Sequence, residues 1–339
     1  MLPALQRLIG INAMKPPSRN GLSTIEEVIA DAKAGKLFIL VDDEDRENEG
    51  DLCVIGESAT ADAINFMAKY GRGLICLALT RIRTEQLGLT MMERRNESRH
   101  ETAFTISIEA REGVTTGISA ADRALTIKTA IDPNFGERDI TTPGHIFPLI
   151  ARDGGTLVRA GHTEAVVDIA RACGSDNPSG VICEIMKDDG EMARLPDLVC
   201  FAKEHDLKIA SIADLIAWRR RNESLVQRTV ESAITTRIGG DWRMVIYANT
   251  VSNIEHIALV KGDISTGDPI LVRMHALDLM ADLLGAVSEK RAGDELATAM
   301  AAIAKAGCGV IVVLRESTVS SLSSMVSQKL NMTSDTGGN

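Results

Sequence analysis

An acidic segment holds the largest concentration of chemically active side chains in this sequence. Residues 42–51 (DDEDRENEGD) contain seven carboxylates, and Arg46 is the only basic side chain among them. Carboxylates this close repel one another, so the segment requires solvent, a cation or a ligand to neutralise it. Hard cations such as Mg2+ take one or two carboxylates and complete their shell with water and substrate oxygens. The segment therefore predicts a divalent-cation site or, alternatively, a solvated acidic loop, and its spacing excludes an EF-hand.

Two further segments offer groups that bind phosphate. Arg159 and Thr163 stand at the start of a predicted helix (RAGHTEA), where backbone amides, a guanidinium and a hydroxyl suit an anion. His162 lies beside them as a candidate metal ligand. Residues 115–119 (TTGIS) lead into a helix that Ser119 would cap, and their hydroxyls fit either capping alone or an anion.

Two more side chains fit catalytic roles. His145 lies between Pro143 and Pro148 in a conformationally fixed segment, although a lone histidine is more often structural unless other titratable groups converge on it. Glu184 lies among apolar neighbours in a predicted strand, residues 181–186. A charged carboxylate is costly there unless it is paired or functional, so we expect a raised pKa or a strong partner.

Composition limits the classes of protein that this sequence can represent. The 339 residues predict about two domains. A net charge of -10 argues against a nucleic-acid partner, and the basic run 219–221 is expected at a helix end. No apolar run approaches the roughly 18 residues of a membrane helix. Six cysteines without a CxxC pair predict reduced thiols in a cytoplasmic protein, although a targeting segment within residues 1–20 stays open.

Helical and strand patterns alternate along the chain, which predicts an α/β or α+β layered fold with a mixed sheet flanked by helices. A smaller α/β unit follows it. The predicted domains are a flexible arm at 1–20, a main domain at 21–220, a linker at 221–232 and the smaller unit at 233–339. The principal predicted elements are helices at 25–34, 61–70 and 295–306, a helix that opens within 159–164 and ends at Gly174, and strands at 37–41, 74–79, 103–109, 242–247, 257–260 and 310–314.

Seven motifs, in order from residue 21 to residue 218, carry a family resemblance. They are DDEDRENEGD, GLICLAL, TAFTISI, TTGISAADRA, PGHIFPL, RAGHTEA and GVICEI. Together they resemble 3,4-dihydroxy-2-butanone-4-phosphate synthase. The resemblance implies conversion of D-ribulose 5-phosphate into L-3,4-dihydroxy-2-butanone 4-phosphate and formate in riboflavin biosynthesis. The family's reaction uses two Mg2+ ions per site, an enediolate and a skeletal rearrangement.

The resemblance also implies roles for individual residues. Glu47 would bind both metal ions and His162 would complete the ligand set, while His145 and Glu184 would be catalytic. Because Mg2+ does not prefer a nitrogen ligand, Mn2+ should also work. The substrate would contact Arg46, Glu47, Asp51, Arg159, Ala160, Gly161, His162, Thr163 and Glu184, with Cys76 and Thr116 as additional candidates.

Several points stay open within the resemblance. The first proton could go to Asp51, Glu184, His145 or Cys76. The family is a homodimer with sites near the subunit boundary, and the sequence does not say which subunit supplies His145. Thr142 stands where the family usually has arginine, which puts one charge contact in question.

The last third of the chain resembles the front part of GTP cyclohydrolase II through EHIALVKGDI, LVRMHALDL and GVIVVLRES. That family's zinc is held by three cysteines. Here Asp278 stands at the first position and Cys308 is the only cysteine after Cys200, so a three-thiolate site cannot form. The chain also ends soon after Leu314, where the family's catalytic segments would begin. We therefore expect no zinc and a degenerate, shortened domain without cyclohydrolase activity.

Two alternatives belong to other functional classes. One is a bifunctional enzyme that also opens GTP, which the cysteine count disfavours. The other is a non-enzymatic regulatory protein that binds a metal or a phosphate through the acidic segment. The presence of Glu47, His145, His162 and Glu184 disfavours the second alternative.

Overall fold

The computed structural model of the protein describes residues 21–93, 102–251, 254–287 and 293–315. The chain divides after Glu223 into two compact units. The predicted arm at 1–20 lies outside the described residues, as does the chain after Arg315. None of the helices in the described ranges is both long and apolar enough to cross a membrane.

Helices and strands alternate along the first unit, as the sequence predicts. The strands are β1 (Phe38–Val41), β2 (Gly50–Ile55), β3 (Cys76–Leu79), β4 (Ile108–Ala110), β5 (Ile140–Ile150), β6 (Gly180–Glu184) and β7 (Lys208–Ser211). The α-helices are α1 (Ile25–Lys33), α2 (Ala61–Phe66), α3 (Arg81–Gln86), α4 (Ala120–Ile131), α5 (His162–Cys173), α6 (Leu195–Glu204) and α7 (Ile212–Asn222). A π-helical turn, Met67–Gly71, follows α2.

These strands form one mixed sheet in the order β4-β5-β3-β6-β2-β1-β7. β1 pairs with β7 in parallel and with β2 in antiparallel orientation, and β3 pairs with β5 in parallel and with β6 in antiparallel orientation. Helices cover both faces: Ile39 and Leu52 belong to one core cluster, while Phe38 and Cys53 belong to the other. Because both faces are buried, β1 and β3 are continuously apolar. The predicted mixed sheet flanked by helices is confirmed.

Two local predictions in this unit are wrong in detail. The pattern at 23–26 predicts a capping box between Ser23 and Glu26, but the capping box of α1 is formed by Thr24 and Glu27. The strand predicted at 103–109 is reduced to β4, and Phe104 and Thr105 form only isolated bridges. Burial does not follow the apolar alternation of TAFTISIE: Thr105 is buried, whereas Phe104 and Ile106 are half-buried.

The second unit contains a sheet of five described strands in the order β11-β12-β10-β9-β8. Trp242 and Ile311 on the sheet pack with Ile303 of its helix in one core. The predicted linker, 221–232, is wrong for its second half, because a strand begins at Val226 and pairs along its length. The elements are β8 (Val226–Thr236), β9 (Gly240–Asn249), β10 (Glu255–Lys261), β11 (Leu271–Ala276), α8 (Glu295–Ala306), β12 (Gly309–Leu314) and a π-helical turn (Leu279–Leu283).

A buried ion pair joins α5 to α7. Asp168 and Arg219 are 3% and 5% exposed, and Arg219 Nη1 lies 2.6 Å from Asp168 Oδ2. Asp168 also accepts hydrogen bonds from the amide and the hydroxyl of Thr156, and Arg219 donates to the carbonyl of Gly154. Arg219 therefore does more than complement a helix end: it fixes the turn that precedes Arg159.

We predict that Arg219→Met lowers the free energy of unfolding by about 3 kcal/mol, because it leaves Asp168 buried without its main cation. Equilibrium urea unfolding of the full chain measures the loss. Arg220→Met is the matched control, since Arg220 is exposed on the same helix. Equal stability of the two variants would contradict a stabilising role for the Arg219–Asp168 pair.

Candidate functional site

The sheet register brings two carboxylates to one edge of the first unit. Asp51 of β2 lies opposite Glu184 of β6 in the antiparallel pair. Glu184 is half-buried and Oε2 accepts a hydrogen bond from the Leu74 amide at 2.8 Å, which supplies the partner that the sequence predicts. A Cβ on Gly73 would lie 2.5 Å from the same oxygen. The close approach of the backbone at residue 73 therefore requires glycine.

The acidic segment forms the loop between β1 and β2 at this edge, and Asp42 organises it. The Asp42 side chain is fully buried. Its two oxygens accept hydrogen bonds from the amides of Glu47 (3.1 Å) and Glu49 (2.9 Å). Arg46 Nη1 lies 2.8 Å from Asp42 and 2.6 Å from Glu47. The loop is therefore an ordered turn built around one carboxylate, whereas Asp43, Glu44 and Asp45 are exposed.

His162 enters the cluster from the first turn of α5. Its Nδ1 lies 3.8 Å from Glu47 Oε2, and its Nε2 lies 3.9 Å from Asp51 Oδ1. The ring is buried and Nε2 has no hydrogen-bond partner. The structure therefore brings Glu47, Asp51 and His162 together, although their sequence positions span more than 100 residues.

This donor set fits a divalent cation. One ligand atom each from Asp42, Glu47 and His162 lie within 4.8 Å of one another. An ion with ligands at about 2.1 Å can join two atoms up to about 4.2 Å apart, which covers the separation of Glu47 and His162. Carboxylate oxygens with one imidazole suit Mg2+ or Mn2+ better than a thiolate-preferring ion. Asp42, which the sequence analysis left within the acidic segment, already accepts several hydrogen bonds and supports the loop.

The electrostatics of the cluster favour retained protons when no metal is bound. Burial raises the pKa of Asp51 to about 7, although His162 opposes the shift. Burial alone lowers the pKa of His162, but Asp51 and Glu47 outweigh it and raise this pKa to about 9. A divalent cation that binds His162 must displace this proton.

The predicted phosphate-binding residues adjoin the cluster at the start of α5. Gly161 is its N-cap, and Thr163 is buried. The Arg159 guanidinium lies 2.6 Å from Glu164 Oε2 and 3.3 Å from the Thr102 hydroxyl, while Ala160 is exposed. Glu164, which the sequence analysis did not assign, therefore orients Arg159 at the helix start.

His145 lies elsewhere on the sheet. β5 is separated from β2 by β3 and β6, and three interstrand spacings place these two strands about 14 Å apart. Nδ1 of His145 lies 2.7 Å from Glu109 Oε2, and 43% of its side chain is exposed. Because a carboxylate only accepts, Nδ1 carries the hydrogen and Nε2 is left for other partners. Glu109 is the last residue of TAFTISIE, and the sequence patterns do not predict it as the partner of His145.

Two further candidates do not join the cluster as reactive groups. Burial raises the pKa of the Cys76 thiol well above its usual value, so it is protonated at neutral pH. Thr116 is exposed beside a helix start that already holds a carboxylate. Asp122 accepts from the Thr115 hydroxyl (2.8 Å) and the Gly117 amide (3.0 Å). Capping by Ser119 is confirmed, and the alternative of an anion at this helix start is not supported.

A cavity of about 880 Å³ opens at the other end of β2, beside Ile55. Two of its polar side chains are bonded within its wall: the Ser175 hydroxyl donates to Glu57, and the Asn177 amide donates to the carbonyl of Ile131. It lies away from the acidic loop and contains none of the predicted site residues.

Comparison with known proteins identifies the family. The family model described as 3,4-dihydroxy-2-butanone 4-phosphate synthase matches residues 26–218, more than half of the chain. The chain belongs to the 3,4-dihydroxy-2-butanone 4-phosphate synthase family. The prediction of an enzyme of this class, a lyase, is confirmed. A model described as GTP cyclohydrolase II matches residues 227–337, which confirms the resemblance of the second unit.

Curated relatives of this synthase family match most of the chain. The chain is 50% identical over 293 residues to the 3,4-dihydroxy-2-butanone 4-phosphate synthase of Pseudomonas aeruginosa, covering 86% of this chain and 79% of the relative. It is 49% identical over 292 residues to the riboflavin biosynthesis protein RibBA of Bacillus cereus strain AH187, covering 86% and 72%.

Solved structures of the synthase family share the fold. RibBX, a two-domain synthase from A. baumannii, has a TM-score of 0.68 at 42% identity and covers 90% of this chain and 85% of its own. A synthase in complex with two magnesium ions has a TM-score of 0.57 at 38% identity, covering 59% of this chain and 98% of its own.

We predict that Asp51→Asn lowers the pKa of His162 from about 9, because Asp51 is the strongest cause that raises it. Both groups hold protons more tightly in the folded chain. The free energy of unfolding therefore falls as the pH rises. The Asp51 contribution is lost between pH 3.8 and about pH 7, and the His162 contribution is lost between pH 6.5 and about pH 9. NMR titration of the histidine rings in metal-free protein measures the shift. Glu49→Gln is the control and should have a smaller effect; an unchanged pKa in Asp51→Asn would refute the coupling.

Proposed function

We propose that the chain converts D-ribulose 5-phosphate into L-3,4-dihydroxy-2-butanone 4-phosphate and formate in riboflavin biosynthesis. Membership of the synthase family supports the reaction class. The observation that carries the proposal is the approach of Glu47 and His162 to 3.8 Å beside Asp51, because this arrangement offers a cation site next to groups that move protons. The α5 N-terminus beside it suits the substrate phosphate.

We propose two Mg2+ ions per site, with Glu47 and His162 as ligands. A relative whose structure is described in complex with two magnesium ions supports this assignment. Bound Mg2+ would polarise two substrate oxygens and stabilise the negative charge that develops on them. Mn2+ should substitute, because an imidazole ligand suits it at least as well. No zinc is required by this donor set.

The chain's own carboxylates are suited to moving the protons of the reaction. A general base is most effective when its pKa lies close to the pH at which the reaction runs. The pKa of Asp51 is about 7. Glu184 lies beside it and is oriented by the Leu74 amide. We assign these two carboxylates to proton transfer at the end of the substrate that is remote from its phosphate. Arg46 balances the charge of Glu47.

Binding of the far end of the substrate is assigned to α5. Its free backbone amides, the Thr163 side chain and Arg159 provide positive charge and hydrogen-bond donors for a phosphate. The Arg159–Glu164 pair holds the guanidinium in place before the substrate arrives, which lowers the entropic cost of binding. Substitutions here should therefore raise KM more than they lower kcat.

We propose a homodimer in which His145 acts at a site close to the subunit boundary. Two observations support it: His145 lies on β5, which β3 and β6 separate from the β2 strand of Asp51, and its ring is exposed while Nδ1 is bound by Glu109. Free cysteines, Cys53 and Cys76 among them, support a reducing, cytoplasmic setting.

We propose that the second unit has no cyclohydrolase activity. Asp278 occupies the position of a family zinc cysteine, and its side chain accepts from the amides of Met280 and Ala281, which is the role of a helix cap. Cys308 is the one cysteine in this unit, so three thiolates are unavailable for zinc. The second candidate, a bifunctional enzyme, is favoured by the match of the second unit to the GTP cyclohydrolase II model and by the similarity to the protein named RibBA.

For the synthase reaction, we predict that Glu47→Gln lowers kcat/KM for ribulose 5-phosphate by about a hundredfold or more, because a ligand charge is removed. Formate release with and without Mg2+ measures it, and EDTA should abolish the wild-type reaction. Glu44→Gln is the matched control, since Glu44 is exposed on the same loop and should retain activity within about twofold. Unchanged turnover in Glu47→Gln would exclude the proposed metal ligand.

For the second unit, we predict no formate release from GTP by the purified full chain, with or without added zinc. The reason is the missing thiolate set around Asp278. The same preparation must release formate from ribulose 5-phosphate, which controls for inactive protein. Zinc-dependent release of formate from GTP would establish the bifunctional alternative.

A further inference from the structure

The loop that carries Glu47 is held on two sides. On the inner side, the Asp42 carboxylate binds the amides of Glu47 and Glu49. On the other side, carbonyl groups of the loop face Arg194, which lies 146 residues after Asn48 in the chain. Arg194 Nη1 donates to the carbonyl of Glu47 at 2.9 Å and also to the carbonyl of Asn48.

The loop needs this second support because its backbone is strained and its charge is high. Asn48 has a φ of 55°, in the left-handed region that costs free energy for a residue with a side chain. The carboxylates around it repel one another. Arg194 addresses the backbone and the charge. It binds the carbonyls of Glu47 and Asn48, which flank the Asn48 Cα, and its Nη1 lies 4.0 Å from Glu49 Oε1.

Arg194 is itself placed by the sheet. It is the N-cap residue of α6, and its amide donates a hydrogen bond to Asp197 Oδ2 at 3.0 Å. The preceding residue, Ala193, donates to the carbonyl of Ile185, directly after β6. The guanidinium is thus connected through a short, hydrogen-bonded segment to the strand that carries Glu184.

From this geometry we propose that Arg194 is a positioning residue for the cation site. It holds the backbone of Glu47 and Asn48 so that the Glu47 carboxylate meets His162. The guanidinium of Arg194 binds two backbone carbonyls of the loop and lies near one loop carboxylate, so we assign its effect to the position of Glu47. The inference rests on the proposed role of Glu47 in cation binding, and it adds a residue that controls how well the site is formed.

The first measurement is hydrogen–deuterium exchange of the loop in the full-length, metal-free protein. In Arg194→Ala, the amides of residues 42–51 should exchange at least about fivefold faster than in wild type, because the carbonyl side of the loop is released. Arg194→Lys should lie between them, since an ammonium can also donate to the carbonyls but is more strongly hydrated and sits on a flexible stem. Arg220→Ala removes the same charge from an exposed site and should leave the loop unchanged.

The second measurement is binding of Mn2+ to the same proteins without substrate, followed by the EPR signal of free Mn2+. We expect the Kd to rise about tenfold in Arg194→Ala, as is typical when a residue that orients a ligand is lost. The Kd should rise less in Arg194→Lys and not at all in Arg220→Ala. In turnover assays, excess Mn2+ should restore most of the kcat of Arg194→Ala, because the ligands themselves are intact.

Each result decides the inference. Unchanged loop exchange in Arg194→Ala would overturn it, and so would faster exchange with an unchanged Kd for Mn2+ or a wild-type protein that binds no Mn2+. If Arg194→Ala does not fold, Arg194→Lys carries the comparison. A wild-type protein whose Mn2+ binding depends on Arg194, but which does not release formate from ribulose 5-phosphate, would support this inference and refute the proposed function.

Discussion

The structure of the site depends on the mutual repulsion of carboxylates at one sheet edge. Asp42, Glu47, Asp51 and Glu184 converge there because β1, β2 and β6 are neighbours and because β1 ends where the acidic loop begins. The contacts show how the negative charge of each carboxylate is compensated. Asp42 is neutralised by backbone amides and Arg46, Asp51 by a raised pKa, and Glu47 by Arg46 and His162. A divalent cation would replace the protons that the cluster otherwise retains.

Burial gives this cluster its chemical significance. The same carboxylates on an exposed loop would be solvated and screened, and Asp43, Glu44 and Asp45 illustrate that outcome on the outer part of the loop. His162 is instead enclosed at the start of α5, with a ring nitrogen that has no hydrogen-bond partner. The contrast separates the two interpretations of the acidic segment: one part is a solvated surface, and the other part lines the candidate site.

Much of the fold could be predicted from the sequence because the signals are local. The apolar runs of β1 and β3 and the helix from His162 to Gly174 follow directly from burial on both faces and from a glycine stop. β8 was missed because most of its side chains are exposed, so its sequence resembles a polar linker. Of the two alternatives at residues 115–119, capping is the one that the contacts support, because the Asp122 carboxylate accepts hydrogen bonds at that helix start.

The parts of the site that could not be predicted depend on contacts between distant residues. Glu109 and His145 are separated by 36 positions, and Arg194 and Glu47 by 147 positions. Single-sequence patterns contain no information on such pairs. Glu47 and His162 became neighbours in the prediction only through the family resemblance, since spacing alone leaves a charged loop and a helical histidine unrelated.

The alternation of neighbouring β2 residues between the two cores has an evolutionary consequence. Neighbouring residues of β2 belong to opposite cores, so the loss or gain of one residue within β2 or β6 would exchange the two cores and turn Asp51 or Glu184 away from the site. Length variation among homologues should therefore be confined to connections such as residues 187–190, which form an exposed turn after β6. The sheet thus restricts which mutational paths remain open to this enzyme family.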